Sequence, residues 1–151
     1  MLTRLGARLC AVPLAHAVET MRLLPTTPLA DAPPFVRGLA VIRGLPVPVL
    51  DLGPLVGEPP GAAARLLLVR VDGERDRAEA GARYVALAVD EVLGVVTLDG
   101  AALAETPPLA QAGQATLLQS VGALDAQLLL VLRASRLVDE ALWHRLERHD
   151  R

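Results

Sequence analysis

Three stretches of this chain are apolar at every position: Leu66-Leu67-Leu68-Val69, Val85-Ala86-Leu87-Ala88-Val89 and Leu128-Leu129-Leu130-Val131-Leu132. Each has the length of a strand, and a strand on a one-sided sheet alternates apolar with polar residues. A strand without that alternation needs cover on both faces. Few amphipathic helices are legible here to supply the cover. The sheets must therefore cover one another, as they do in packed or closed β-barrels. An all-β chain is expected, and 151 residues suit one compact domain or two small interlocked ones.

The strands are read from short Val-, Leu- and Ile-rich runs closed by Gly, Pro or Asp. Candidates are Arg8 to Val12, Ala17 to Leu24, Leu39 to Arg43, Val47 to Leu52, Arg65 to Val71, Tyr84 to Val89, Val92 to Leu98, Thr116 to Leu124 and Gln127 to Leu132. Before them Met1 to Leu5 leaves room only for a short first strand. Prolines 25, 28, 33 and 34 lack amide protons and predict an extended loop over 25–34. Leu39 to Arg43 and Val47 to Leu52 read as a hairpin turning at Gly44-Leu45, since Gly44 takes positive φ at low cost. Pro46 and Pro48 then suit an edge strand, or positions whose amides face away from the ladder. Loops are expected over 53–64 and 72–83, and mostly loop over 99–114. One terminal helix is predicted over about 135–148, with Ser135 as cap and Val138, Ala141, Leu142 and Leu146 on one face.

Composition narrows the function. Aromatics are 2% of residues, so sites built on aromatic stacking are not expected. The fifteen basic residues are all Arg, interleaved with acids, and leave no basic face for a nucleic acid. The single cysteine, Cys10, excludes an intrachain disulfide and fits a reducing cytoplasm. No signal-peptide stretch is seen at the start, and no apolar run reaches the roughly 20 residues of a membrane helix.

Catalysis finds no foothold. The three histidines, His16, His144 and His149, lack metal-ligand spacing, and one Cys cannot build a zinc cluster. Ser120 has no nucleophile-elbow context, and the glycines form no phosphate loop. Asp90-Glu91 is the best acidic pair, but neighbours on a strand point to opposite faces. No enzyme, cofactor or metal is expected, and the residues alone lead to a soluble all-β binding domain.

One stretch says more. Pro34-Phe35-Val36-Arg37-Gly38, then Ile42-Arg43-Gly44, then Val47-Pro48-Val49-Leu50-Asp51-Leu52, resembles the most diagnostic part of CheW-like chemotaxis adaptor domains. Val18-Glu19-Thr20-Met21 looks like that family's valine-glutamate strand. Val85 to Val95 is similar to its central strand pair, and Val121 to Val138 to its last hairpin and helix start. Together these cover roughly residues 5 to 140 in the right order.

The resemblance implies a single domain over 1–151, built as two intertwined five-stranded SH3-like β-barrel subdomains with the C-terminal helix. It implies a cytoplasmic adaptor at receptor arrays beneath the inner membrane. Its partners would be a methyl-accepting chemoreceptor cytoplasmic tip and the regulatory domain of a CheA-type histidine kinase, with no nucleic acid and no membrane insertion. Two alternatives stand beside it: an auxiliary scaffold of a pili, gliding or gene-control pathway, and an all-β domain holding a small apolar ligand.

By the same resemblance Glu19, Gly38 and Arg43 match positions important for receptor coupling, and Asp51 one with a structural role. Gly44 and Val36 complete the candidate partner-binding set. Two readings of Arg43 stay open: its guanidinium reaches a partner carboxylate or carbonyl, or it braces the hairpin against Asp51 or Glu19. Gly38 serves close backbone approach more readily than contact. Val36 and Ile42 read as core residues that could instead line a groove. The chain departs from the family at Ala17, Val41, Leu45, Ala126 and Arg133, and Leu45 sets an apolar residue at a hairpin tip that is usually polar.

Overall fold

The apolar runs at 66–69 and 85–89 are covered on both faces, each face by a different core. The structure is a computed structural model, and it describes residues 1–53, 63–71, 83–97, 103–105, 118–124, 127–132, 138, 141 and 143–145. Among the described residues, eleven strands and one short 3-10 turn run in order: β1 (Leu2–Leu5), β2 (Arg8–Ala11), the turn (Leu14–His16), β3 (Ala17–Arg22), β4 (Val36–Ile42), β5 (Leu45–Asp51), β6 (Arg65–Val71), β7 (Arg83–Val89), β8 (Glu91–Gly94), β9 (Leu103–Glu105), β10 (Leu118–Leu124) and β11 (Gln127–Leu132). They form a six-stranded sheet, β8-β1-β2-β11-β10-β9, and a five-stranded sheet, β3-β6-β7-β5-β4. The chain opens the first sheet, leaves it to build the whole of the second, and returns to finish the first. The two sheets are interlocked by that path.

Burial explains the two-sided strands. Leu67, Val69 and Val71 of β6 join Val85, Leu87 and Val89 of β7 in a core that also holds Leu5 and Cys10 from the first sheet. On the opposite face Leu66, Leu68, Ala86 and Ala88 join Ala40, Ile42, Val47 and Val49 in a second core. The first core lies between the sheets; the second is internal to the five-stranded sheet. Cys10 is fully buried, and the loss of water pushes its thiol up to about 12. The Thr3 hydroxyl, also buried, donates to the Cys10 carbonyl at 2.9 Å.

Several sequence expectations are adjusted. The segment 99–114 holds the short strand β9, which pairs with β10 and makes the first sheet six-stranded. The hairpin of β4 and β5 turns at Arg43-Gly44, not Gly44-Leu45. Both turn residues have positive φ, 53° and 78°, as a type I′ turn requires. β5 is an inner strand, between β7 and β4. Its prolines are tolerated because Pro48 faces Leu39, whose amide and carbonyl both point away, to Thr27. Of the terminal helix expected over about 135–148, Ala141 and Trp143 to Arg145 are helical but Val138 is a bend, and Trp143 and Val138 are buried in the inter-sheet core. The rest of that helix and the loops over 54–62 and 72–82 lie outside the described residues.

Candidate functional site

The candidate residues gather around the β4–β5 hairpin. Arg43 sits at its tip, in a left-handed conformation that costs a non-glycine residue roughly 1–2 kcal/mol. Its side chain is 64% exposed, and its Nη2 pairs with the Glu19 carboxylate on β3. Strands β3 and β4 are the two outer strands of the five-stranded sheet, so this pair draws the sheet's opposite ends together. Of the two bracing partners open for Arg43, Glu19 is the one found. Asp51 instead takes Arg37, at 3.3 Å, and accepts the Gly53 amide at 3.1 Å. Asp51 is 8% exposed, so this pair satisfies a buried charge.

Arg37 was not legible as Asp51's partner. The β4–β5 register shifts between Val36 and Gly38, which leaves Arg37 as the extra residue of a bulge and re-aims its side chain. Gly38 is buried at φ 142°, and a Cβ there would lie 2.2 Å from the Thr27 carbonyl oxygen. Its role is close backbone approach: the proline-rich link crosses directly over it. Val36 and Ile42 are buried, and neither offers its side chain to a groove. Gly44 is exposed, and a Cβ at that position would meet nothing within 4 Å. Asp90 and Glu91 have separate structural tasks. Asp90 accepts the Gly6 amide at 2.9 Å, and Glu91 lies 3.9 Å from Arg4.

Among the described residues no group of His, Cys, Asp or Glu could hold a metal ion. No helix among them is long and apolar enough to cross a membrane.

The matching family model is that of the CheW-like domain, and it spans residues 1–142. The chain belongs to the CheW-like domain family. Members of that family are non-catalytic scaffolding adaptors of chemotaxis signalling. The scaffolding protein TtCheW from Thermoanaerobacter tengcongensis has a similar fold, with a TM-score of 0.69 at 20% identity over 87% of this chain and 86% of that one. No curated protein matches the sequence.

The surface of this CheW-like domain carries apolar residues that the sequence patterns did not single out. Leu14 is 55% exposed, Val18 41%, Val95 59% and Val96 36%. Leu14, Val95 and Val96 follow strand ends on one side of the six-stranded sheet. Gly94 pairs with Leu2, and Leu2 with Ala11, so β8 and β2 leave the six-stranded sheet on the same side, about 10 Å apart. Val95 and Val96 continue from β8, while Leu14 follows β2 in the turn that packs on β6. Val18 comes next, on β3. The hairpin tip adds Val41 and Leu45, 72% and 54% exposed, beside Arg43. Leu45 was already legible as an apolar hairpin tip, but the exposure of Leu14, Val95 and Val96 had no sequence signal, because such residues differ in no way from core positions until the sheet order is known.

Proposed function

We propose that this chain couples chemoreceptor cytoplasmic tips to a CheA-type histidine kinase through protein–protein contacts. The observation that carries the reading is Arg43: a solvent-facing arginine held in a strained turn conformation and aimed by Glu19. Hairpin turns of this type are ordinarily made with Asn, Asp or Gly. A residue kept at a strained backbone position points to use of its side chain. A guanidinium has five N–H donors, and one Glu19 oxygen leaves capacity for a partner's carboxylate or carbonyls.

Physical chemistry also favours a helical partner. A receptor tip is a helical hairpin and presents apolar residues along one face, with polar ones at its margin. Leu14, Val18, Val95 and Val96 offer exposed aliphatic area of matching character, and Glu19 and Arg43 offer the polar anchors. Gly38, Gly44 and Val36 serve this surface through the backbone and from beneath, by fixing the hairpin. The domain would sit at receptor arrays below the inner membrane.

The test is a co-sedimentation assay with a receptor-tip fragment and the kinase regulatory domain. The expected result is a ternary complex that Arg43→Ala depletes of receptor while its melting temperature stays near that of the parent. Normal receptor capture by Arg43→Ala would remove the role given to Arg43. Absence of both partners from the complex would remove the reading itself.

A further inference from the structure

The link that joins β3 to β4 is held from two sides. On the inner side Thr27 exchanges two backbone hydrogen bonds with Leu39 of β4, at 2.8 and 2.9 Å, over the bare Cα of Gly38. On the outer side Arg145, in the C-terminal helical segment, donates from Nη2 to the carbonyls of Ala30 and Asp31. These two carbonyls are brought together by a turn in which Asp31 adopts φ 58°. Arg145 thus gives both carbonyls of this turn a side-chain donor and ties the link to the C-terminal segment. The helix is itself located by Trp143, which is buried in the inter-sheet core and has the Arg83 guanidinium 5.0 Å from its ring centroid. Leu29, Ala32 and Phe35 of the link pack against that same core.

We propose that Arg145 is a positioning residue for the hairpin surface. It clamps the link, the clamped link keeps Thr27 on Leu39, and that ladder holds the outer edge of β4 in the register that sets Arg43 against Glu19. The C-terminal segment therefore bears on partner binding although Arg145 itself stands apart from the hairpin tip. The binding half of this inference rests on the proposed receptor coupling; the backbone half does not.

The experiment is amide hydrogen exchange on the whole chain and on its Arg145→Ala and Arg145→Lys variants, with receptor-tip affinity measured on the same samples. In Arg145→Ala, exchange at Thr27 and Leu39 is expected to rise by about tenfold, the equivalent of one lost charge-assisted hydrogen bond. Exchange at Leu67 and Leu87, in the inter-sheet core, should stay unchanged. Tip affinity should fall several-fold, and Arg145→Lys, which keeps a cationic donor, should recover part of both effects. Unchanged exchange at Thr27 and Leu39 would overturn the clamp, and so would a rise shared equally by Leu67 and Leu87. If the parent chain fails to bind the tip fragment, the coupling reading falls while the exchange data still decide the clamp.

Discussion

Replacing Gly38 by alanine tests whether this position acts through the backbone or through contact with a partner. The added Cβ would stand 2.2 Å from the Thr27 carbonyl oxygen, 2.7 Å from its carbon and 3.0 Å from Pro28 Cα. All three are backbone atoms, so no flexible side chain can yield. The link has to retreat by more than about 1 Å to reach ordinary van der Waals contact, given typical packing distances of roughly 3.5–4.0 Å. That movement breaks both Thr27–Leu39 hydrogen bonds, at about 1 kcal/mol each. The φ of 142° adds backbone strain for a residue with a side chain, of order 1–3 kcal/mol. The sum is about 3–5 kcal/mol, a large part of the roughly 5–15 kcal/mol that stabilises a domain. For a chain of this size that corresponds to a fall in Tm of roughly 10 °C. Urea titration followed by the fluorescence of Trp143, the only tryptophan and a buried one, reads the change directly. Gly44→Ala is the internal control: its φ is 78° but nothing lies within 4 Å, so only the conformational cost of about 1–2 kcal/mol applies. A loss below about 1 kcal/mol in Gly38→Ala would refute the close-approach argument. Receptor binding lost at unchanged stability would show direct contact instead.

Three further outcomes follow from the same geometry. Glu19→Gln and Arg43→Ala each change stability by no more than about 1 kcal/mol, because the pair is solvent-exposed; a larger loss in chemical denaturation would show that the pair holds the sheet ends together by itself. Arg37→Ala costs about 2–4 kcal/mol by leaving the Asp51 carboxylate buried with only the Gly53 amide, and a near-neutral result would mean water replaces the guanidinium. Cys10 resists thiol reagents at neutral pH until the domain is unfolded, since burial holds its proton in place. The folded thiol titrates above the unfolded one, so this contribution to stability is complete below the ordinary thiol range and is lost as pH climbs towards about 12; Cys10→Ala should flatten that alkaline fall.

Much of the architecture could be read before any coordinates. β6 follows Arg65 to Val71 as expected, because doubly covered strands declare themselves by unbroken apolar runs. The finer split within those runs is also physical. In β7 the larger Val85, Leu87 and Val89 face the other sheet, while Ala86 and Ala88 fill the tighter interior of their own. What escaped was set by tertiary context. β9 has only three residues and exists through its pairing with β10. The hairpin turned one residue early because no local pattern announces an arginine with positive φ. The bulge at Arg37 is equally silent in sequence, and it decided which arginine met Asp51. The site was legible through the resemblance, which pointed to Glu19, Gly38 and Arg43 and marked Leu45 as an apolar hairpin tip, whereas the exposure of Leu14, Val18, Val95 and Val96 had no signal in the sequence.

The parallel pairing of β2 with β11 sets Leu9 beside Leu129. During synthesis the opening hairpin would leave the ribosome long before its neighbour existed, and it would have to persist as an unfinished template while an entire second layer was made. Such remote closure slows assembly. It also forbids trimming: a fragment ending after β7 would keep β1 and β2 with no third strand to receive them. Splitting this molecule into independently stable halves should therefore fail.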